Sequence, residues 1–492
     1  MVELEVNVLE SGAVRNTQNT PEEALDFFHK KNIKFVDLQF TDLPGRLQHV
    51  TVPIATIDSS AFTKGIPKLD GSSIKGFAEI HESDMLLRPD PSTATIIPWS
   101  PDSIKAGRMI CDIYWGFDQG RLSRDPRSIA QNAEKAVLAA GFDVSYWGPE
   151  VEFFVLDRVN WDVLSPFKGQ SYSIESKEAA WTNDGSNYPI RFKEGYYPAE
   201  PHDTLMNYRS EVVQMLDEHF GVPCDAHHHE VATAGQCEID MQYNSLTRTA
   251  DNVMSYKYVV KNVARLHDQI ATFMPKPIFG DNASGMHVHS SLWKGDVPLF
   301  YDENDKYAEL SQLGRYYGGG LMDHSRALAA IVTPTTNSYR RLVPGFEAPV
   351  YIAWSRRNRS ANVRIPVYEK GPNSAAKKRI EFRTPDPSCN PYLCFAAMVA
   401  AGLDGVKKKS EIGDPVDEDI YKLPPARRTE LGIRQLPTSL GEAVEALQSD
   451  SEFLKPILGS DTLDMIVEFA NKGYAEVSAR PHPYEFHLYF DI

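Results

Sequence analysis

Apolar and polar residues recur along the chain with two different periods. Pro21 to Lys31 spaces its apolar residues three and four apart, which predicts a short amphipathic helix. Lys34 to Phe40 (KFVDLQF) alternates with period two, as a half-buried strand does. Thr41 to Gly45 carries turn residues, and Leu47 to Ile54 predicts the returning strand. Leu69-Asp-Gly-Ser-Ser73 predicts another turn, and short strands follow through Ile113, so the front of the chain reads as a small mixed sheet. Ser128 to Ala140 predicts a helix ended by Gly141. Beyond it, helical patterns over 203–218, 247–274, 305–332, 391–409 and 440–456 alternate with strands. Residues 1–20 are polar and lack periodicity. The expected division is an extension over 1–28, a small domain over 29–120 and a larger one over 121–492, with the boundary inside GFDQGRLSRDP near 118–124.

The bulk properties narrow the function classes. The chain has 492 residues, too long for one ordinary compact core, and at 42% hydrophobic and 24% charged residues it belongs with folded proteins. A formal charge of −16 argues against non-specific binding to nucleic acid or to anionic membranes, while leaving room for a local basic pocket. The longest apolar run, Leu393 to Leu403, is well short of a membrane span. The first residues lack the basic stretch of a signal peptide. Five scattered Cys without a CxxC pair point to a reducing compartment, and the expected location is the cytoplasm.

Three strand-like segments carry ligand-type residues at spacing two: Glu150-Val-Glu152, His287-Val-His289 and Glu381-Phe-Arg383. Residues i and i+2 of a strand share a face, so each pair sends two polar heads into one space. Any one pair is as well explained by an ordinary solvated strand face; three in one chain favour a polar funnel lined by strands. A fourth segment, Ala226-His-His-His-Glu-Val-Ala-Thr-Ala-Gly-Gln-Cys-Glu238, sets Glu230 and Glu238 on either side of a Thr-Ala-Gly turn, so a hairpin would place them on adjacent strands. The pool of Glu150, Glu152, Glu230, Glu238, Glu381 and His287 is dominated by hard oxygen ligands, which suit Mg²⁺ or Mn²⁺ better than zinc. Five carboxylates exceed what one divalent ion needs and point to two.

Arg340, Arg341, Arg356, Arg357, Arg359, Arg364, Arg379 and Arg383 fall in one stretch. Guanidinium forks match phosphate and carboxylate oxygens. Asn337 to Glu347 ends in Pro and Gly and reads as a loop. There is no phosphate-binding GxxxxGK[ST] loop and no GxGxxG, so a nucleotide would be held by metals and arginines. Together these features suggest phosphoryl transfer.

The segments FVDLQFTD (35–42), LDGSSI (69–74), GPEVEFF (148–154), HHHEVATAGQ (227–236), FMPKP (273–277), TTNSYRRLVPG (335–345), NRSANVRIP (358–366), RIEFRTPDPSCNPYL (379–393) and the closing HPYEFHLY occur in one order. From about residue 30 onward the chain resembles the glutamine synthetase family, type I. The resemblance implies an α+β fold: a small β-grasp-like N-terminal domain, and a larger catalytic domain with a strand-lined funnel. It implies a homo-oligomer, a dodecamer of two stacked hexameric rings with active sites between subunits. It implies synthesis of glutamine from glutamate, ammonium and ATP, with two Mg²⁺ or Mn²⁺ ions per site, one at Glu152, Glu230 and Glu238 and the other at Glu150, His287 and Glu381. Glutamate contacts carry over to Glu152, Asn282, Ala283, His287, Arg341, Glu347 and Arg383. ATP contacts carry over to Asp225, Tyr243, His289, Ser291, Arg359 and Arg364. The ammonium pocket carries over to Asp70, Ser73, Tyr196, Glu230 and Glu347, with Asp70 and Ser73 from the adjacent subunit.

On this reading the γ-carboxylate of glutamate attacks the γ-phosphate of ATP, Arg359 offsets charge on the transferring group, and Asp70 deprotonates ammonium. Glu347 closes over the acyl phosphate as part of a lid. Three positions depart from the usual pattern: Ala283 where many members have Gly, Asp225 where many have Glu, and Ala376 where bacterial members have an ATP-contacting Lys. Tyr421 aligns with a tyrosine that some bacterial members adenylylate; the following Ala-Arg-Arg is basic where theirs is acidic, and the expectation is that Tyr421 is unmodified. Two alternatives stand beside ammonia ligation: a γ-glutamyl ligase for a larger amine, and a non-catalytic regulator or scaffold. The intact Asp70, Ser73 and Glu347 set argues against the first and the complete ligand set against the second.

Overall fold

The computed structural model describes residues 20–492 except 82, 118, 183, 184 and 186, so most of the extension expected over residues 1–28 lies outside the described residues. The first helix, Pro21–Lys30, opens with a reciprocal cap: the Thr20 hydroxyl accepts from the Glu23 amide at 3.2 Å, and the Glu23 carboxylate accepts from the Thr20 amide at 3.0 Å. Ala24 and Phe28 bury one face of that helix. Behind it lies a six-stranded mixed sheet in the order Leu47–Pro53, Phe35–Thr41, Ala106–Trp115, Asp84–Pro89, Ile66–Asp70, with Thr95–Ile96 paired to Ala106–Trp115. Phe35–Thr41 and Ala106–Trp115 run parallel; the other neighbours are antiparallel.

The larger part is built on an eleven-stranded sheet. Its main path runs Cys224–His229, Gln236–Met241, Val144–Leu156, Met286–Lys294, Ile380–Phe382, Ala361–Arg364, Tyr351–Ser355, Arg434–Gln435. Helices Pro126–Ala139, Leu246–Leu266 and Pro391–Lys408 bury its apolar side. Pro391–Lys408 starts on an Asn390 cap with Pro at its first position, which suits the unpaired first turn, and its apolar run is buried. It crosses Gln312–Asp323 with backbones in contact, and a Cβ at Gly320 would come within 2.1 Å of the Ala401 carbonyl. The run Gly318-Gly319-Gly320 is therefore needed for packing.

Several boundaries differ from the periodicity reading. The helix expected over 247–274 stops at Leu266; Asp268 adopts φ of 55°, and Ile270–Thr272 turns back as a strand on Val144–Leu156. The helix expected over 305–332 is a loop followed by two helices. The Asp305 carboxylate accepts the amides of Ala308 and Leu310, helix Gln312–Asp323 begins on a Ser311 cap, and His324 separates it from Ser325–Val332. The helix over 440–456 ends at Ser449, with a short turn Lys455–Leu458 beyond. The segment over 203–218 is helix Met206–Met215 continued by a widened turn, Leu216–Phe220. The loop expected from Asn337 begins instead with the helical turn Ser338–Arg341.

Candidate active site

The pleat of Val144–Leu156 explains where the acidic residues go. Val151 and Phe153 point into the core, so Glu150 and Glu152 point to the opposite face. Antiparallel register then brings the other pairs alongside. Glu150 lies opposite His287 on one side and Asp240 on the other; Glu238 lies opposite Glu152. Glu381 lies opposite His289 on one flank and Arg364 on the other. Glu230 follows Cys224–His229 at the hairpin turn, its amide donating to the Gln236 carbonyl at 2.8 Å. Every member of the spacing-two pairs but His289 reaches one space.

They line a cavity of about 210 Å³ whose wall is almost entirely polar. Glu150, Glu152, Glu230, Glu238, Glu381, His287, Asn282, Ala283, Arg341, Arg383, Arg359, Arg364, Tyr196 and Glu347 all face it. The carboxylates divide into two electrostatic groups. Burial alone would raise Glu150, but His289 Nε2 at 2.9 Å and His287 Nδ1 at 3.3 Å hold it well below the ordinary range. Burial likewise works against Glu381, yet Arg383 at 2.5 Å and Arg364 at 2.7 Å bring it down to about 2. Glu152, Glu230 and Glu238 go the other way. Burial and their mutual repulsion push Glu152 and Glu238 well up; burial, with Glu347 nearby, pushes Glu230 up to about 7. Burial and Arg383 lower His287 to about 4, which keeps the imidazole neutral and available as a ligand.

Other expected residues sit at the edges. Glu347 is exposed with φ of 59°, an unusual backbone for a non-glycine residue at a site. Tyr196 stacks on Tyr197 with ring centroids 4.1 Å apart, and Tyr197 packs edge-on against His228. Ser291 accepts from the Trp293 indole at 3.0 Å, while Tyr243 and Trp293 both pack edge-on against Tyr146. The structure thus places Ser291 and Tyr243 around an aromatic cluster at one end of the sheet, outside the cavity lining. Asp225 is exposed there and accepts from Gln242 at 2.9 Å. Asp70 and Ser73 are not brought to the cavity of their own chain. Asp70 ends the edge strand Ile66–Asp70 of the front sheet and accepts from the hydroxyls of Ser72 at 2.7 Å and Ser73 at 3.0 Å.

The cavity also holds residues that the sequence reading passed over: Asp240, His228, Tyr197, Phe346 and Tyr368. Asp240 was legible, since Glu238-Ile-Asp240 repeats the spacing-two pattern. Among the positions of departure, Ala283 is not in the left-handed region, so it needs no glycine; its carbonyl accepts from Gln236 at 3.1 Å. Next to Ala376, Lys377 pairs with Glu369 at 3.0 Å and buried Lys378 donates to the Ala308 carbonyl at 2.7 Å. The Tyr421 hydroxyl donates to the Ala348 carbonyl, and burial pushes it up to about 12.

The donor set fits divalent ions. Glu150, His289 and Glu381 each offer an atom within 4.8 Å of the others, and so do His228, Glu230 and Glu238. Three carboxylates raised by burial and by neighbouring like charge are the environment that a small cation relieves.

Comparison with known proteins bears on what this arrangement does. The family described as glutamine synthetase, catalytic domain, matches residues 123–489, and the one described as glutamine synthetase, beta-Grasp domain, matches residues 32–116. The chain is similar to the glutamine synthetase of Sulfolobus acidocaldarius, 54% identical over 95% of this chain and 98% of that one. It is similar to the glutamine synthetase of Frankia alni, 48% identical over 96% of this chain and 99% of that one. Its fold is similar to a cryo-electron microscopy structure of Plasmodium falciparum glutamine synthetase. That match has a TM-score of 0.85 at 26% identity and covers 96% of this chain and 98% of that one.

Proposed function

The chain belongs to the glutamine synthetase family, and from that premise we infer that it is a ligase joining ammonia to L-glutamate with cleavage of ATP to ADP and phosphate. The observation that carries the reading to this chain is the cavity itself, in which the acidic residues meet the arginines Arg341, Arg359, Arg364 and Arg383. Family members use ATP and divalent metal. The finer reading proposed here is two Mg²⁺ or Mn²⁺ ions, one at Glu152, Glu230 and Glu238 and one at Glu150, His287 and Glu381. His228 is close enough to share in the first set and His289 in the second. When bound, such ions would neutralise and draw together phosphate and carboxylate oxygens.

The remaining steps fall to the chain's own side chains. Arg341 is fully buried and its guanidinium donates to the carbonyls of Thr384 at 2.8 Å and Arg383 at 3.0 Å, which fixes its fork toward a substrate carboxylate. Arg359 and Arg364 reach the cavity where a transferring phosphoryl group would carry charge. Transfer to the γ-carboxylate of glutamate gives an acyl phosphate, and ammonia attacks its acyl carbon, forming the C–N bond as phosphate leaves. Glu230 and Glu347, with Tyr196, form an anionic wall suited to ammonium rather than to a bulky amine. Asp70, with its proton-accepting oxygens held by Ser72 and Ser73, is proposed as the base, acting in the neighbouring subunit's site. That arrangement needs a second subunit, and a dodecamer of two hexameric rings, whose head-to-tail contacts close, is the proposed assembly. Among the described residues no helix is long and apolar enough to cross a membrane; the proposed location is the cytoplasm. ATP-dependent γ-glutamyl hydroxamate formation from glutamate and hydroxylamine tests the reading; purified enzyme forming none would overturn it.

A further inference from the structure

Glu347 depends on a loop that the strands do not hold, and one buried lysine outside the carried-over site grips that loop twice. Lys276 exchanges two hydrogen bonds with the side chain of Asn337: its amide donates to Asn337 Oδ1 at 2.7 Å, and Asn337 Nδ2 donates to its carbonyl at 3.0 Å. Asn337 begins the segment that ends at Glu347. At the far end of that segment, Lys276 Nζ sits over the ring of Phe346, 4.0 Å from its centroid. The same ammonium donates to the backbone carbonyl of Asp281, which is fully buried. The Asp281 carboxylate accepts the amides of Asn282 at 3.0 Å, Thr233 at 2.7 Å and Lys193 at 3.0 Å. Those amides belong to three other walls of the cavity: the Asn282–Ala283 segment, the Glu230–Glu238 turn and the stretch leading to Tyr196. A desolvated cation over an aromatic face is a strong non-covalent contact, and its donor here is already fixed at both its backbone and its head.

We propose that Lys276 is a positioning residue that latches the Glu347 loop, through the Phe346 ring, to the Asp281 hub from which the other cavity walls hang. It acts through Phe346 and touches no reacting atom. The proposal rests on the glutamine-forming reading of the site.

The test uses full-length enzyme assayed for both glutamine and phosphate, with Lys276→Met, Lys276→Arg, Phe346→Leu and the Lys276→Met/Phe346→Leu double variant. Lys276→Met keeps the apolar stem and removes the charge. It should raise the ammonium KM by about two- to thirty-fold, the span of cation–ring contacts from exposed to desolvated. It should also raise phosphate released per glutamine above one, because a loop out of place admits water to the acyl phosphate. Lys276→Arg should restore both quantities toward wild type. Lys193 Nζ also lies over the Phe346 ring, 4.1 Å from its centroid, so Phe346→Leu should be at least as severe as Lys276→Met, and the double variant should be no worse than Phe346→Leu alone. If Lys276→Met fails to fold, Phe346→Leu alone carries the KM and phosphate readouts. Wild-type values for both in Phe346→Leu, or losses that add in full in the double variant, would overturn the latch. Wild-type enzyme that forms no glutamine would instead overturn the function reading.

Discussion

His289 Nε2 lies 2.9 Å from Glu150 Oε1, although the two residues sit on neighbouring strands two residues out of register. Alternation brings both onto the funnel face, and the imidazole then fixes one oxygen of a carboxylate whose other oxygen meets His287 at 3.3 Å. Glu150 is thereby held ionised and oriented, whereas Glu152, one pair further along, accepts from the neutral Gln236 amide at 2.9 Å and is buried beside Glu230 and Glu238, which repel it.

That contrast predicts which acidic group relies most on metal. Glu152→Gln removes one charge at nearly constant volume. Manganese affinity should fall by at least ~10–100-fold, the loss typical of a perturbed metal shell, and synthesis should collapse while the fold survives. Binding calorimetry with Mn²⁺ and circular dichroism check the two halves; unchanged affinity would remove Glu152 from the ligand set.

His324 offers a pH prediction away from the site. It separates two helices, stacks on Phe453 with centroids 3.7 Å apart, and lies 2.9 Å from Asp404 and 2.7 Å from Asp450. Burial works against its charge, but the two carboxylates raise it above its ordinary value. A raised folded-state value gives stability that is full below about pH 6.5 and is lost as pH climbs through that raised value. His324→Gln should therefore cost about 1 kcal/mol near pH 6 and less near pH 9. Denaturant midpoints of both proteins across that range decide it; an equal cost at both ends would deny the ion pair.

Tyr421 is expected to be unmodified. Its hydroxyl donates to the Ala348 carbonyl, next to Glu347, so a nucleotidyl transferase would have to break that contact to reach it. Intact-mass analysis of protein from its native cell should show no added AMP on the peptide holding Tyr421.

Much of the site was legible because strands impose period two. Glu150-Val-Glu152, His287-Val-His289 and Glu381-Phe-Arg383 needed only the pleat to be placed together, and the hairpin around Thr233-Ala-Gly235 needed only its turn. Asp240 was missed although it shows the same spacing. Phe346 and Lys276 could not be found this way, because a cation over a ring joins segments far apart in sequence without a periodic signal. Helix ends were legible where a cap marks them, as at Thr20 and Asn390. They were lost where tertiary contacts overrule periodicity, as at Asp268 and His324.

Asp70 bears on the shared site. It stands on the front sheet, away from the cavity of its own chain, while Glu347 faces that cavity. Asp70→Ala and Glu347→Ala should each be inactive alone. Co-expressed in equal amounts, they should regain about a quarter of wild-type activity, since each face is chosen independently in a closed ring. Rings shown by native mass to be mixed, yet inactive, would mean that Asp70 does not serve a neighbour.

The central claim is that this cavity joins ammonia to glutamate. Isotopically labelled ammonium, glutamate, ATP and Mg²⁺ or Mn²⁺ supplied to the purified enzyme test it most directly. The account predicts glutamine labelled at the amide nitrogen, with one ADP and one phosphate formed for each glutamine. ATP-dependent γ-glutamyl products from a larger amine with no labelled glutamine, or no ATP-dependent product at all, would contradict it.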